Sequence, residues 1–327
     1  MQVGGVEEGE GHEISGGGDS PRRQSRSISH GGETARHLFC RAKLALLPPV
    51  SAGKVMKIGL IQMNSTDDKP ANLAQARALI EQAVALEKPD WIGLPEVFDF
   101  LGGSREQKFA AAEILREGPA YRLCRELAAR HGVFIHAGSF LERNPDGESL
   151  SNTTVVFDRA GREIALYRKI HLFDVTTPDG AAYRESATFT PGAELATYQC
   201  EGLTFGCAIC YDLRFPELFQ ALAARGAQVL ALPSAFTLQT GKDHWEVLCR
   251  ARAIETQCWF LAPAQFGPHV LRDETRLTYG HSLVCDPWGH KVAMAGDGKG
   301  FVTARIDAES VARVRAAIPV AAQRRVF

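Results

Sequence analysis

The chain has 327 residues, 37 Lys and Arg against 38 Asp and Glu, and a 45 % hydrophobic fraction. Such a balance describes a globular chain with an ample core, and it lacks the basic excess of a nucleic-acid binder. No apolar run is long enough to span a bilayer, and eight cysteines scattered through apolar segments argue for packed thiols over a disulfide framework.

Residues 1–55 differ in composition from the rest of the chain. They are Gly- and Glu-rich, then Arg- and Ser-rich (PRRQSRSISH), and read as a disordered or non-native leader, with the folded domain over 56–327. The early acidic cluster argues against a transit peptide, and KLALL is too short for a secretory segment, so the cytoplasm is the expected compartment.

From Met56 the pattern alternates. MKIGLIQMN is expected as a strand, ANLAQARALIEQAVALE as a helix and DWIGLPE as a short buried strand. AYRLCRELAARHG follows as a helix closed by Gly132, then VFIHAGSF as a strand. Two hairpins come next, turning at Arg159-Ala160-Gly161 and at Glu201-Gly202, the second ending in LTFGCAIC. FPELFQALAARG is a helix, AQVLALPSAF a strand, DHWEVLCRARAIETQ a helix, WFLAPAQF a strand, and TYGHSLVCDPWGHKVAMAG a hairpin. Hairpins mixed with βα units imply a mixed sheet, or two packed sheets with helices outside.

The pair Cys207 and Cys210 raises the question of a CxxC redox or metal site. A redox pair wants its first sulfur at a helix N-terminus, whereas Cys207 lies inside an apolar strand. Extended to Cys210, that strand would turn the two sulfurs to opposite faces. Zinc asks for four ligands, and the chain has no second CxxC and no HExxH. Cys207 is thus a core residue. Cys210 ends the apolar run just before Pro216 opens a helix, at the carboxyl edge of the sheet where α/β folds bind ligands.

A thiol nucleophile needs a base and an oxyanion donor. Histidines 136, 171, 244 and 281 are available, as are two groups that close apolar strands, Glu96 after DWIGLP and Lys169 after REIALYR. Arg214, four residues past Cys210, can reach the same cleft with a fork suited to a carboxylate, and Thr237 is a further pocket candidate.

GLPEVFDF, YRKIHLFDV and CYDLRFPEL, in this order, resemble the three signatures of the nitrilase superfamily of carbon–nitrogen hydrolases. The resemblance runs from Met56 to the C-terminal region. PSAF, HWEVLCRARAIETQ and YGHSLVCDPWG are similar to its Nit branch, while TTPDGAAYRES and FGPHVLRDETRLTYG are less typical. The resemblance implies an α/β fold, a four-layer αββα sandwich whose subunits pair as a homodimer or higher homo-oligomer. It implies Cys210 as nucleophile, Glu96 as general base, Lys169 as oxyanion stabiliser, Glu185 as a second glutamate beside the lysine, and the Tyr211 N–H in the oxyanion hole. It raises Arg214 as a carboxylate binder, and it implies no metal and no organic cofactor.

The expected activity is hydrolysis of the amide of a small carboxylate-bearing metabolite, deaminated glutathione first. Alternatives are an ω-amidase for α-keto acid amides, an N-carbamoyl amino acid amidohydrolase, a Cys-His hydrolase and a scaffold without turnover.

Overall fold

The computed structural model describes residues 55–177, 180, 182–271 and 275–325. Residues 1–54, almost all of the expected leader, lie outside these.

Strands β1 (Met56–Gln62), β2 (Trp91–Gly93) and β3 (Phe134–His136) run parallel, because α1 (Lys69–Glu87) and α3 (Pro119–His131) carry the chain back between them. β4 (Phe140–Arg143), β5 (Leu150–Phe157) and β6 (Glu163–Arg168) extend this sheet antiparallel. A short helix α2 (Arg105–Ala111) precedes α3, and β7 (Asp174–Thr176) with β8 (Ala182–Arg184) forms a separate small hairpin.

The second half repeats the plan. β9 (Thr197–Cys200) pairs antiparallel with β10 (Leu203–Cys207), which runs parallel to β11 (Val229–Ala231) and β12 (Trp259–Ala262). The crossovers are α4 (Pro216–Ala224), a turn α5 (Leu238–Thr240) that passes into a π-helical stretch at 241–245, and α6 (Glu246–Thr256). The hairpin β13 (Phe266–Val270) and β14 (Thr275–Tyr279) stands apart, and β15 (Leu283–Cys285) and β16 (Lys291–Met294) complete the second sheet. β17 (Gly300–Ile306) then returns to pair with β1 in the first sheet, before α7 (Ala308–Ala317) and α8 (Val320–Gln323).

The strand period places the core. On β1, Met56, Ile58 and Leu60 face a cluster with Phe205, Ile209 and Leu230 of the second sheet, while Ile61 packs with Ile80, Leu127 and Ile135 under the helices. Two sheets therefore pack face to face with helices outside, the expected αββα sandwich. Among the described residues no helix is long and apolar enough to cross a membrane.

Some helix ends are set by local chemistry, and the start of α3 is set from a distance. Asp68 caps α1 by accepting from the Ala71 N–H, and Gly132 ends α3 at φ 62°. Gly118, at the start of α3, has no side chain to cap with. The buried Glu113 carboxylate takes that role, accepting from the N–H groups of Ala120 at 2.7 Å and Tyr121 at 3.3 Å. A Cβ on Gly118 would lie 1.9 Å from Glu113 Oε2, so the glycine makes room for the distant cap.

Several strands are shorter than their apolar runs. β2 ends at Gly93, and VFIHAGSF breaks into β3 and β4 at 137–139. β10 ends at Cys207, so the strand does not reach Cys210 as the sequence reading assumed. Each break lies on the edge where the chain leaves the sheet to build the site.

Candidate active site

Glu96 and Cys210 sit on equivalent turns of the two sheets, each following a parallel strand. Both turns bend through left-handed backbone at residues with a side chain, Val97 at φ 46° and Cys210 at φ 44°. Cys210 opens a short 3-10 turn, Cys210–Arg214, its N–H donating to Pro233 O at 2.9 Å. The separation of Cys207 from Cys210 thus comes from the chain turning, where strand alternation was the expected cause. Both thiols are free, and among the described residues no His, Cys, Asp and Glu group could hold a metal ion.

Asp212, fully buried, fixes this turn. Its Oδ2 accepts from the Ile209 N–H at 2.8 Å and the Tyr167 hydroxyl at 2.6 Å, and its Oδ1 accepts from the His171 N–H at 3.1 Å. Tyr167 and His171 flank Lys169, so one carboxylate ties the cysteine turn to the lysine segment. His171 Nδ1 lies 2.7 Å from the same Oδ1, and its ring stacks on Phe215.

Lys169 is 2 % exposed and Glu96 4 %. Lys169 Nζ donates to Glu96 Oε1 at 2.9 Å and to Glu185 at 3.1 and 2.9 Å. Burial opposes its charge, but Glu185, Glu96 and the Cys210 sulfur together hold its pKa well above the ordinary lysine value. Asn152 on β5 donates to Glu96 Oε1 at 2.9 Å, and the Phe173 N–H donates to Glu185 Oε2 at 2.6 Å. Neither partner stood out in the sequence, because each acts through a contact across the fold.

Glu96, Lys169 and the Ala235 backbone all act electrostatically on the Cys210 thiol. Burial, reinforced by Glu96, pushes its pKa well above the usual thiol value despite the pull of Lys169. The resting sulfur is therefore protonated, and a base must take its proton as it attacks.

These groups open onto a cavity of about 270 Å³. Glu96, Lys169, Cys210, Glu185, Tyr211, Arg214 and Thr237 all line it, so these seven expected site residues are brought together, whereas the candidate histidines are not among its described lining residues. Arg214 lies over the rings of Phe236 and Tyr211, 5.5 and 5.9 Å away, and its Nη1 is 3.3 Å from His244 Nδ1. Among the described residues no histidine lines the cavity.

A buried ion cluster backs the glutamate turn. Lys69 Nζ contacts Asp99 Oδ2 at 2.9 Å and Glu113 Oε1 at 2.7 Å. Burial pushes the Asp99 carboxyl up to about 6, against the pull of Lys69.

A carboxylate, an ammonium and a thiol lining one cavity can carry acyl transfer. Residues 57–316 match the family model for carbon-nitrogen hydrolases. The chain belongs to that family, and it is an amide-hydrolysing enzyme. Its relatives place it in the Nit branch. It is 41 % identical over 270 residues, 82 % of this chain and 97 % of the other, to a deaminated glutathione amidase of Synechocystis. It is 35 % identical over 285 residues, 84 % of this chain and 97 % of the other, to the omega-amidase NIT3 of Saccharomyces cerevisiae. The crystal structure of the C. elegans NitFhit protein superposes with a TM-score of 0.78 at 38 % identity, covering 84 % of this chain and 66 % of that one.

Proposed function

We propose that the protein hydrolyses deaminated glutathione through a thioester on Cys210. The observation that carries this reading is the convergence of Glu96, Lys169, Glu185 and Cys210 on one cavity that Arg214 also lines.

As Cys210 Sγ attacks the amide carbon, its proton passes to Glu96, while Lys169 Nζ and the Tyr211 N–H face the growing oxyanion. Collapse of the tetrahedral intermediate breaks the C–N bond, and Glu96 returns the proton to the departing amine. Water then enters and Glu96 takes one of its protons as the oxygen attacks the thioester; collapse breaks the C–S bond and releases the acid, and Glu96 returns the proton to Sγ. Glu185 holds Lys169 toward the sulfur. Arg214 and Thr237 receive the carboxylate of the acyl half, the Arg214 guanidinium being steadied by Phe236 and Tyr211.

The names of the most similar relatives favour deaminated glutathione, and the omega-amidase among them supports α-keto acid amides as the second reading. A panel of deaminated glutathione, α-ketoglutaramate and N-carbamoyl amino acids decides between these, with the released acid as readout. The expected result is the highest kcat/KM for deaminated glutathione. A higher value for α-ketoglutaramate transfers the assignment to the ω-amidase reading. Val247 and Ile254, 66 % and 50 % exposed on α6, offer copies of this chain an apolar face through which to associate.

A further inference from the structure

Among the described residues the cavity lining holds more cationic than acidic side chains. The acidic ones are Glu96 and Glu185, both hydrogen-bonded to Lys169. Lys108, Arg184, Arg214 and Arg276 also line it. A concave wall with this sign concentrates a substrate bearing more than one carboxylate.

Position separates the four cations by task. Arg214 belongs to the same 3-10 turn as Cys210, so it serves the acyl half that stays on the sulfur. Arg184 Nη1 is engaged by the carbonyls of Val175 and Tyr183 within the β7–β8 hairpin. Lys108 Nζ lies 6.0 Å above the ring of Phe189, on the wall built around Phe100 and Leu141.

Arg276 enters from β14, outside both large sheets. That strand is docked over the cavity by the bridge from Thr278 to Thr237 and by the Tyr279 N–H donating to Phe236 O at 2.9 Å. The neighbouring Leu277 lines the cavity and is still 49 % exposed, so β14 forms the rim. A substrate amide fixed at Cys210, with its acyl carboxylate toward Arg214, sends its amine half toward this rim.

We propose that Arg276 is a specificity-determining residue that binds a carboxylate on the amine half of the substrate. The inference rests on the amidase reading and assigns the enzyme to amides whose leaving amine is itself acidic, such as a dipeptide, over primary amides. A partly exposed charge suits a group that must leave before water attacks the thioester, since solvent-screened pairs hold weakly.

The test uses three amides of one acyl group: with cysteinylglycine, with cysteinylglycine amide, and with ammonia as the leaving amine. In Arg276→Gln, kcat/KM for the first should fall roughly tenfold more than for the other two, the loss of one charge-assisted contact. Arg276→Lys should recover most of the difference, which a purely structural role would not predict. Equal losses for all three amides, or no loss for the first, would overturn the assignment of Arg276 and leave the amidase reading standing. Failure of the unaltered enzyme to hydrolyse any of the three would instead overturn the amidase reading.

Discussion

Cys207 and Cys210 are three residues apart, both buried and both reduced, yet their surroundings give them opposite work. Cys207 packs between Tyr198, Phe205 and Leu230 in the inter-sheet cluster, with burial alone pushing its thiol up to about 12. Cys210 meets a carboxylate and an ammonium. Cys210→Ala should therefore cut kcat by roughly a thousandfold or more while leaving the enzyme folded. Cys207→Ala should leave kcat intact and cost about 1 to 2 kcal/mol of stability in urea titrations. Equal losses of activity would restore a paired role for the two sulfurs. At this scale the sequence was readable where a polar group closes an apolar run, as Glu96, Lys169 and Cys210 do. It was silent on Asp212 and Asn152, whose partners lie 45 and 56 residues away.

Among elements, the turn that carries Glu96 depends on its neighbour. The break at 137–139 is where β3 gives way to β4, and the backbone there supports the turn after β2. The Phe98 N–H donates to Ser139 O at 3.0 Å and the Val97 N–H to Ser139 Oγ at 2.9 Å. Gly138, at φ 51°, passes so close that a Cβ would lie 2.1 Å from Pro95 O. Gly138→Ala should displace the Glu96 turn, lowering kcat at least tenfold and stability by a few kcal/mol. Ser139→Ala removes only one hydrogen bond and should cost about 1 to 3 kcal/mol, with a smaller loss of activity. Activity assays with thermal melts check both, and an unimpaired Gly138→Ala enzyme would show that the close approach does not govern Glu96. The positions of α1, α3, α4 and α6 were legible from the spacing of apolar residues and from Gly132, while α2 and α7 were not anticipated. Strand ends were not legible, because an apolar run records burial, and the turns bearing Glu96 and Cys210 are as buried as the strands before them. The cap on α3 was hidden too, since Glu113 sits outside the positions where a local cap is sought.

For the whole molecule, the two sheets meet at an aromatic seam. Trp91 of the first sheet stacks on Phe205 of the second and donates from Nε1 to the Tyr198 hydroxyl at 2.9 Å, while His136 Nδ1 lies 3.3 Å from that hydroxyl. Burial in this seam lowers the His136 pKa to about 3. The unfolded chain takes up a proton below about 6.5 that the folded chain refuses, so stability falls as pH drops through 6.5 toward 3 and is full above 6.5. Between pH 7 and pH 5 this group should cost about 2 kcal/mol, a loss that His136→Gln lacks. Urea unfolding of both proteins at the two pH values isolates the effect, because Asp99, titrating near 6 in both, cancels. A gap that does not move with pH would mean that His136 is protonated inside the fold. Hairpins alternating with βα units left a mixed sheet and two packed sheets as alternatives, and the family resemblance pointed to two packed sheets. The return of β17 to β1 was not legible, since that pairing joins residues about 245 positions apart.

The left-handed backbone at Cys210 bears on how this enzyme can be improved. An L-residue there costs about 1 to 2 kcal/mol that glycine would not, roughly what the buried sulfur returns by packing. Folding alone therefore exerts little pressure to keep the nucleophile. A library screened only for thermal tolerance would drift toward well-folded, silent variants at this position, so selection must read turnover and survival together.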